Sequence, residues 1–130
     1  MEKDYDGSEK RKFKRIVFSA KDKVMGVFTF PKVSDDLISY KIADISAGGL
    51  RFIVFRKDDL QISTGDKFFL QEIKGKTKLD VVADIELEVK WVMDHEMFEH
   101  IMIGCEFLNI SEAVQTQIDQ FVEFEQVDQS

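Results

Sequence analysis

Residues 38–55 read ISYKIADISAGGLRFIVF, two strand-like runs joined across Ala47-Gly48-Gly49. Ile38 to Ser46 is rich in β-branched and aromatic side chains, and Leu50 to Phe55 resumes the pattern at once. Such a run, broken by small residues and taken up again, reads as a β-hairpin. The flanking sequence repeats the theme. Ile16 to Ser19 is a short β-branched run, and Val24 to Phe30 is a strand stopped by Pro31, the only proline. Ser63-Thr64-Gly65-Asp66 and Lys74-Gly75-Lys76 mark turns on either side of a strand from Lys67 to Ile73.

Two later stretches complete the pattern. From Val81 to Met93, Ile85, Leu87, Val89, Trp91 and Met93 fall on one face and Glu86, Glu88 and Lys90 on the other. Strict alternation predicts one half-buried strand with all five apolar residues inward. Ile101 to Leu108 is the last strand. Then Ser111 supplies a helix cap and Glu112 an acid in the first turn, with Val114, Ile118, Phe121 and Val122 at helical spacing. The spacing predicts a helix ending near Phe124 and lying over one opening or face of the sheet. The fold expected is all-β with one C-terminal helix, as a small antiparallel barrel or sandwich.

Composition sets the outer limits. A chain of 130 residues makes one compact domain. With 44% hydrophobic and 33% charged residues it reads as soluble and globular. A net charge of −7 opposes nonspecific binding to duplex nucleic acid. Its single cysteine, Cys105, excludes an internal disulfide and fits a reducing compartment. No apolar run serves as a signal peptide or a membrane span, so the expected location is cytoplasmic, without membrane insertion. The charge is uneven, however. Residues 10–23 hold seven basic side chains and one acid, a positive arm on a negative body.

Little in the chain resembles catalytic machinery. His95 and His100, five apart near a loop from Asp94 to Glu99, are wrongly spaced for a metal pair on one strand or helix face. Cys105, between Gly104 and Glu106 in a strand pattern, reads as a buried structural thiol. Glu86 and Glu88 read as a solvated stripe. There is no phosphate-binding loop, zinc signature or nucleophile elbow. No enzyme, metal or cofactor is expected.

Two short motifs carry recognition chemistry instead. In Arg11-Lys12-Phe13-Lys14-Arg15 the arginines share a face in an extended chain, about 13 Å apart, and close to roughly 6 Å if the arm coils. Phe13 lies between them as an apolar anchor. A guanidinium can fork onto two phosphate oxygens, or onto O6 and N7 of guanine, and can stack on a base. The second motif is Asp44-Ile45-Ser46-Ala47-Gly48-Gly49. Asp44 and Ser46, two apart, share a face. A carboxylate accepts from the N1–H and N2–H₂ edge of guanine, and a hydroxyl donates to phosphate. Gly49 allows a positive φ or a close approach by a ligand. The plainer reading is a hairpin corner in which Asp44 or Ser46 satisfies its own turn.

Taken together, Arg11 and Arg15 followed about 30 residues later by Asp44, Ser46 and Gly49 resemble the Arg-x-x-x-Arg and Asp-x-Ser-x-x-Gly motifs of the PilZ domain family. Val89-Lys90-Trp91-Val92 resembles that family's late tryptophan strand, and Ile103-Gly104-Cys105-Glu106-Phe107 its Gly-x-x-Phe strand before the final helix. The resemblance covers residues 9–125, with a disordered tail at 1–8 and a C-terminal tail at 126–130. It implies a six-stranded antiparallel β-barrel with a C-terminal helix, and a bacterial receptor for cyclic di-GMP. Arg11 and Arg15 would wrap the ligand from the arm, and Asp44, Ser46 and Gly49 would hold it from the barrel. Lys10, Lys12, Lys14 and Arg51 are further candidate contacts. Members of the family bind one ligand or an intercalated pair, and the protein is expected to be a monomer or a ligand-dependent dimer.

With no second domain attached, the resemblance implies a free-standing adaptor that signals to a separate protein when ligand orders its arm. The alternative is a PilZ-like protein-interaction domain that binds no nucleotide, although such members typically lack the arginine pair. An apolar-ligand carrier is a third reading, opposed by an alternation that implies a filled barrel.

Overall fold

The computed structural model describes residues 15–19, 21–31, 34–56, 61–75, 81–94, 97 and 99–129. Among the described residues, seven strands and one helix follow in order: β1 (Ile16–Val17), β2 (Met25–Phe30), β3 (Ser34–Ser46), β4 (Gly49–Phe55), β5 (Lys67–Lys74), β6 (Val81–Met93), β7 (His100–Asn109) and α1 (Glu112–Gln129). All pairings are antiparallel. The sheet runs β3-β2-β5-β6-β7-β4 and returns to β3, which closes a six-stranded barrel. β1 adds to β3 as a short outer strand.

The 13-residue β3 makes closure possible. Its first half pairs with β2 and its second half with β4 and β1, so one strand spans two sectors of the wall. Closure leaves few unpaired strand edges. Inside, Phe28, Phe52 and Phe68 are fully buried, with Phe30 and Tyr40 beside them at ring separations of 4.7–6.4 Å. Each buried ring contributes about 1.5–3 kcal/mol of transfer free energy. This packing opposes the carrier reading. At the mouth before β5, Gly65 takes φ +95°, a conformation that glycine alone adopts without strain.

α1 begins as its sequence implies. The Ser111 hydroxyl accepts from Val114 N at 3.2 Å, and the buried Ile118, Phe121 and Val122 face the barrel, with Phe121 6.2 Å from Phe18. The helix runs to Gln129, past the expected end near Phe124. The apolar stripe ends near Phe124, but glutamate and glutamine sustain a helix and no glycine or proline stops it.

The larger departure is in β6. Ile85, Leu87 and Val89 point inward, but Trp91 and Met93 do not. The β6–β7 register shifts by one residue between Val89 and Trp91, so Lys90 is a bulge. Val92 therefore packs against the core in place of Trp91, and Met93 is 47% exposed. β3 carries a matching irregularity. Ile42 pairs with Phe52, yet Asp44 pairs with Arg51, which leaves Ala43 as the extra residue. Tyr40 and Ile42 point inward before it, and Ile45 after it. Bulges re-aim the side chains that follow them. These two turn Asp44 and Trp91 out onto one stretch of barrel wall.

Candidate functional site on the β3–β4–β7–β6 wall

The site is built from two neighbouring cross-strand rows. In the first, Asp44 on β3 lies opposite Arg51 on β4, Arg51 opposite Gly104 on β7, and Gly104 opposite Trp91 on β6. In the second, Ser46, Gly49, Glu106 and Glu88 follow the same strand order. Directly opposed residues share a face, so both rows look outward. Their inward neighbours Ile45, Leu50, Ile103 and Cys105 are buried.

β1 delivers Arg15 to this wall. Ile16 pairs with Ile45 and Val17 with Asp44, which leaves Arg15 just before the strand. Its Nη1 donates to Asp44 Oδ1 at 2.7 Å. From the other side Arg51 donates through Nε and Nη2 to Asp44 Oδ2. The carboxylate side chain is 2% exposed, whereas those of Arg15 and Arg51 are 40% and 32% exposed. A carboxylate this deep needs charged partners to offset its lost hydration. The arginines keep open faces. Two cations around one anion leave this end of the wall net positive.

The hairpin corner is tied on three sides. The Ser46 hydroxyl accepts from Gly48 N and donates to Gly49 O, each at 3.3 Å. Gly48 O accepts from Phe107 N at 2.9 Å, and Ala47 O accepts from Gln115 Nε2 of α1 at 2.9 Å. Ser46 therefore satisfies its own turn. Gly49 has no positive φ. A Cβ there would run into the carbonyl oxygen of Cys105, with Glu106 Cα 3.1 Å away, so the close approach it permits is that of β7.

Gly104 plays the corresponding part at the other end. The Trp91 ring lies where its Cβ would project, Cζ2 being 2.5 Å from that position. Arg51 Cζ is 5.9 Å from the ring centroid. The two glycines make the floor of an open groove of about 210 Å³ lined by Arg15, Ser46, Arg51, Lys90, Trp91 and Glu106. Lys90 Nζ lies 3.2 Å from Glu88 and 3.4 Å from Glu106, and these two carboxylates raise its pKa above the ordinary lysine range.

Arg15, Asp44, Ser46, Gly49 and Arg51 thus come together in one place. Lys10, Arg11, Lys12 and Lys14 lie outside the described residues, as do Phe13 and His95. His100 opens β7. The Cys105 sulfur is buried, and burial pushes its thiol pKa up, as befits an inert structural thiol. Among the described residues no cluster of histidine, cysteine and carboxylate groups is arranged to hold a metal, and no helix is long and apolar enough to cross a membrane. Sequence reasoning missed Trp91, Lys90, Gly104 and Glu106 as groove residues. A glycine inside a strand signals a close approach, and Gly104 was that signal.

The model of the PilZ domain matches residues 9–124. The chain belongs to the PilZ family. No curated protein sequence matches this PilZ chain. Among solved structures, the Bacillus subtilis inhibitor of motility MotI/DgrA superposes with a TM-score of 0.69 at 20% identity, over 91% of this chain and 52% of that one. MrkH of K. pneumonia, solved as a c-di-GMP complex, gives 0.72 at 16% identity, over 91% and 53%. The PilZ domain of YcgR from Escherichia coli, solved with c-di-GMP, gives 0.63 at 16% identity, over 92% and 98%. The chain therefore spans about half the length of MotI/DgrA and MrkH and nearly all of the isolated YcgR domain. The likeness to these PilZ structures is one of fold: the closed barrel with its single C-terminal helix.

Proposed function

We propose that this PilZ domain is a receptor for cyclic di-GMP, with residues 9–125 as the binding unit, and that it acts by recognition without chemical turnover. The observation that carries the reading is the 2.7 Å contact between Arg15 and Asp44. It joins the arm to the hairpin corner, two parts 29 residues apart in the chain, as a ligand held by both requires. Arg11 and Arg15 take the phosphates and the Hoogsteen edge of guanine. Asp44 accepts from the guanine N1–H and N2–H₂ groups, while Arg51 holds the carboxylate in place. Ser46 and Gly49 form the corner beneath, and Lys10, Lys12 and Lys14 add positive potential around the phosphates.

Binding exchanges partners in this scheme. The Arg15–Asp44 pair opens, the ligand phosphates take Arg15, and the base takes Asp44. The arm then sits fixed over the groove as a patch carrying nucleotide, which a separate protein partner reads.

Calorimetric titration with cyclic di-GMP tests the reading. Wild-type protein is expected to bind, with Arg15→Ala and Asp44→Ala each weakening affinity by about 1.5–3 kcal/mol, roughly ten- to a hundred-fold. Absence of heat from the wild type at high micromolar ligand refutes it and leaves a PilZ domain that works through protein contacts alone.

A further inference from the structure

Beyond Arg51, Gly104 and Trp91, the strands β4, β7 and β6 carry one more outward row. In it Ile53 lies opposite Met102, and Met102 opposite Met93. Ile53 and Met102 are half-buried, while Met93, and Phe55 beyond Ile53, are each about half exposed. Met97, in the connection from β6 to β7, is 86% exposed. Single apolar side chains on a surface need no account, but a row of them marks a contact surface. Unbranched thioethers adapt to what lies on them. The row ends at the barrel mouth. A recess of about 250 Å³ opens there, floored by Val54, Val92 and Ile103 and rimmed by the Arg56–Asp94 ion pair.

The strands narrow the choice of partner. β4, β7 and β6 each have a neighbour on both sides, so no incoming chain can add to this wall by strand pairing. A helix fits instead. Three adjacent strands span about 10 Å, roughly a helix diameter. An apolar helix stripe can lie along Ile53, Met102 and Met93 with one side chain in the recess.

Charge narrows it further. Residues 94–99 hold three acids and neither lysine nor arginine. On the groove side Glu88 and Glu106 outnumber Lys90. Both flanks attract a positive partner, and a second copy of this chain, at net −7, is repelled. The β3 side opposes a positive partner: Lys41 lies opposite Ile53, and Arg15, Asp44 and Arg51 sum to one positive charge. Bound cyclic di-GMP brings two phosphate charges to that group and reverses its sign.

We propose that the Ile53–Met102–Met93 row and the recess beside it dock a basic amphipathic helix of a partner protein, and that bound nucleotide tightens the contact by reversing the charge of the adjoining wall. The docking stands on the row itself, and the tightening rests on the cyclic di-GMP reading above.

Met93, Met97 and Met102 are three of the five methionines, so methyl-¹³C methionine NMR reads this surface directly, with Met25 on β2 as a control. The probe is a helical peptide of leucine and lysine, about 18 residues long, with leucines at i, i+3, i+4 and i+7. Saturable shifts are expected at Met93 and Met102 and none at Met25. A peptide with glutamate for lysine should give no shifts, and Met93→Ser should weaken binding roughly three- to ten-fold. Saturating cyclic di-GMP should tighten peptide binding roughly three- to ten-fold at low salt and hardly at all near about 0.5 M salt. No shift at about 1 mM peptide, an equal response to the glutamate peptide, or wild-type affinity in Met93→Ser overturns the docking surface. The same shifts on concentrating the protein alone overturn it in favour of a second copy. If calorimetry registers nucleotide and peptide affinity stays unchanged, the tightening is refuted and the receptor reading stands. No nucleotide heat refutes both of those, while the nucleotide-free titration still decides the docking. The wild-type methyl signals need no variant, so misfolding of Met93→Ser would not spare the proposal.

Discussion

Gly49 and Gly104 both floor the groove, yet replacing each with alanine should have different consequences. At Gly49 the new methyl meets backbone: the carbonyl of Cys105, with its carbon at 3.0 Å and Glu106 Cα at 3.1 Å. Ordinary carbon contacts begin near about 3.5 Å, so β4 must retreat from β7 by something on the order of 1 Å. Ladder bonds that start near 2.9 Å then exceed hydrogen-bond range. Two such bonds lost in a buried wall cost roughly 3–5 kcal/mol, counting groups left unsatisfied. At Gly104 the obstacle is the Trp91 ring, a half-exposed side chain that can swing aside. That costs about 1–1.5 kcal/mol in lost packing. For a domain of this size Gly49→Ala should lower the melting temperature by roughly 10–20 °C and Gly104→Ala by about 5 °C. Differential scanning calorimetry and urea unfolding measure both. A Gly49→Ala protein melting within a few degrees of wild type, or a Gly104→Ala protein less stable than Gly49→Ala, would refute the reasoning. The binding prediction runs the other way. Gly104→Ala should stay folded and, on the cyclic di-GMP reading proposed above, weaken calorimetric binding by displacing the indole that lines the groove, which makes it the cleaner probe.

Other consequences are simpler to state. Phe52→Ala, at the centre of the ring cluster, should cost about 3–5 kcal/mol in urea unfolding, because the four surrounding rings and the strands that carry them cannot collapse into the space. Ser111→Ala removes the acceptor for Val114 N and should cost about 1 kcal/mol, seen as a lower urea midpoint with unchanged slope. Burial raises the Cys105 thiol pKa above its ordinary value near 9. The unfolded chain therefore releases a proton above pH 9 that the folded chain retains. Stability should be untouched below that pH and fall above it by up to about 1.4 kcal/mol per unit. Cys105→Ala should abolish that thiol's share of the slope.

The strands were legible because their apolar residues alternate, and the hairpin because small residues interrupt that alternation at Ala47 to Gly49. The helix start was legible in Ser111, whose cap is a local event. What escaped was everything set by a partner strand. A bulge is a property of two strands in register, and neither alanine at 43 nor lysine at 90 is a residue type that marks one. Hence Trp91 was assigned inward with Ile85, Leu87 and Val89. The same reason hid the depth of Asp44. Its short-range motif marked it as a ligand group, but only the β1–β3 and β3–β4 registers bring Arg15 and Arg51 to its two oxygens. Gly49 was flagged for backbone freedom, and it is needed because β7 passes close by.

The Lys90 bulge also has an evolutionary side. Loss of that one codon would restore plain alternation to β6 and leave the indole outward and Val92 inward, because Val89, Trp91 and Val92 already pair with Cys105, Gly104 and Ile103 in turn. What the extra residue contributes is the ammonium between Glu88 and Glu106, so a single in-frame insertion or deletion can change the charge of this wall without rebuilding the fold around it.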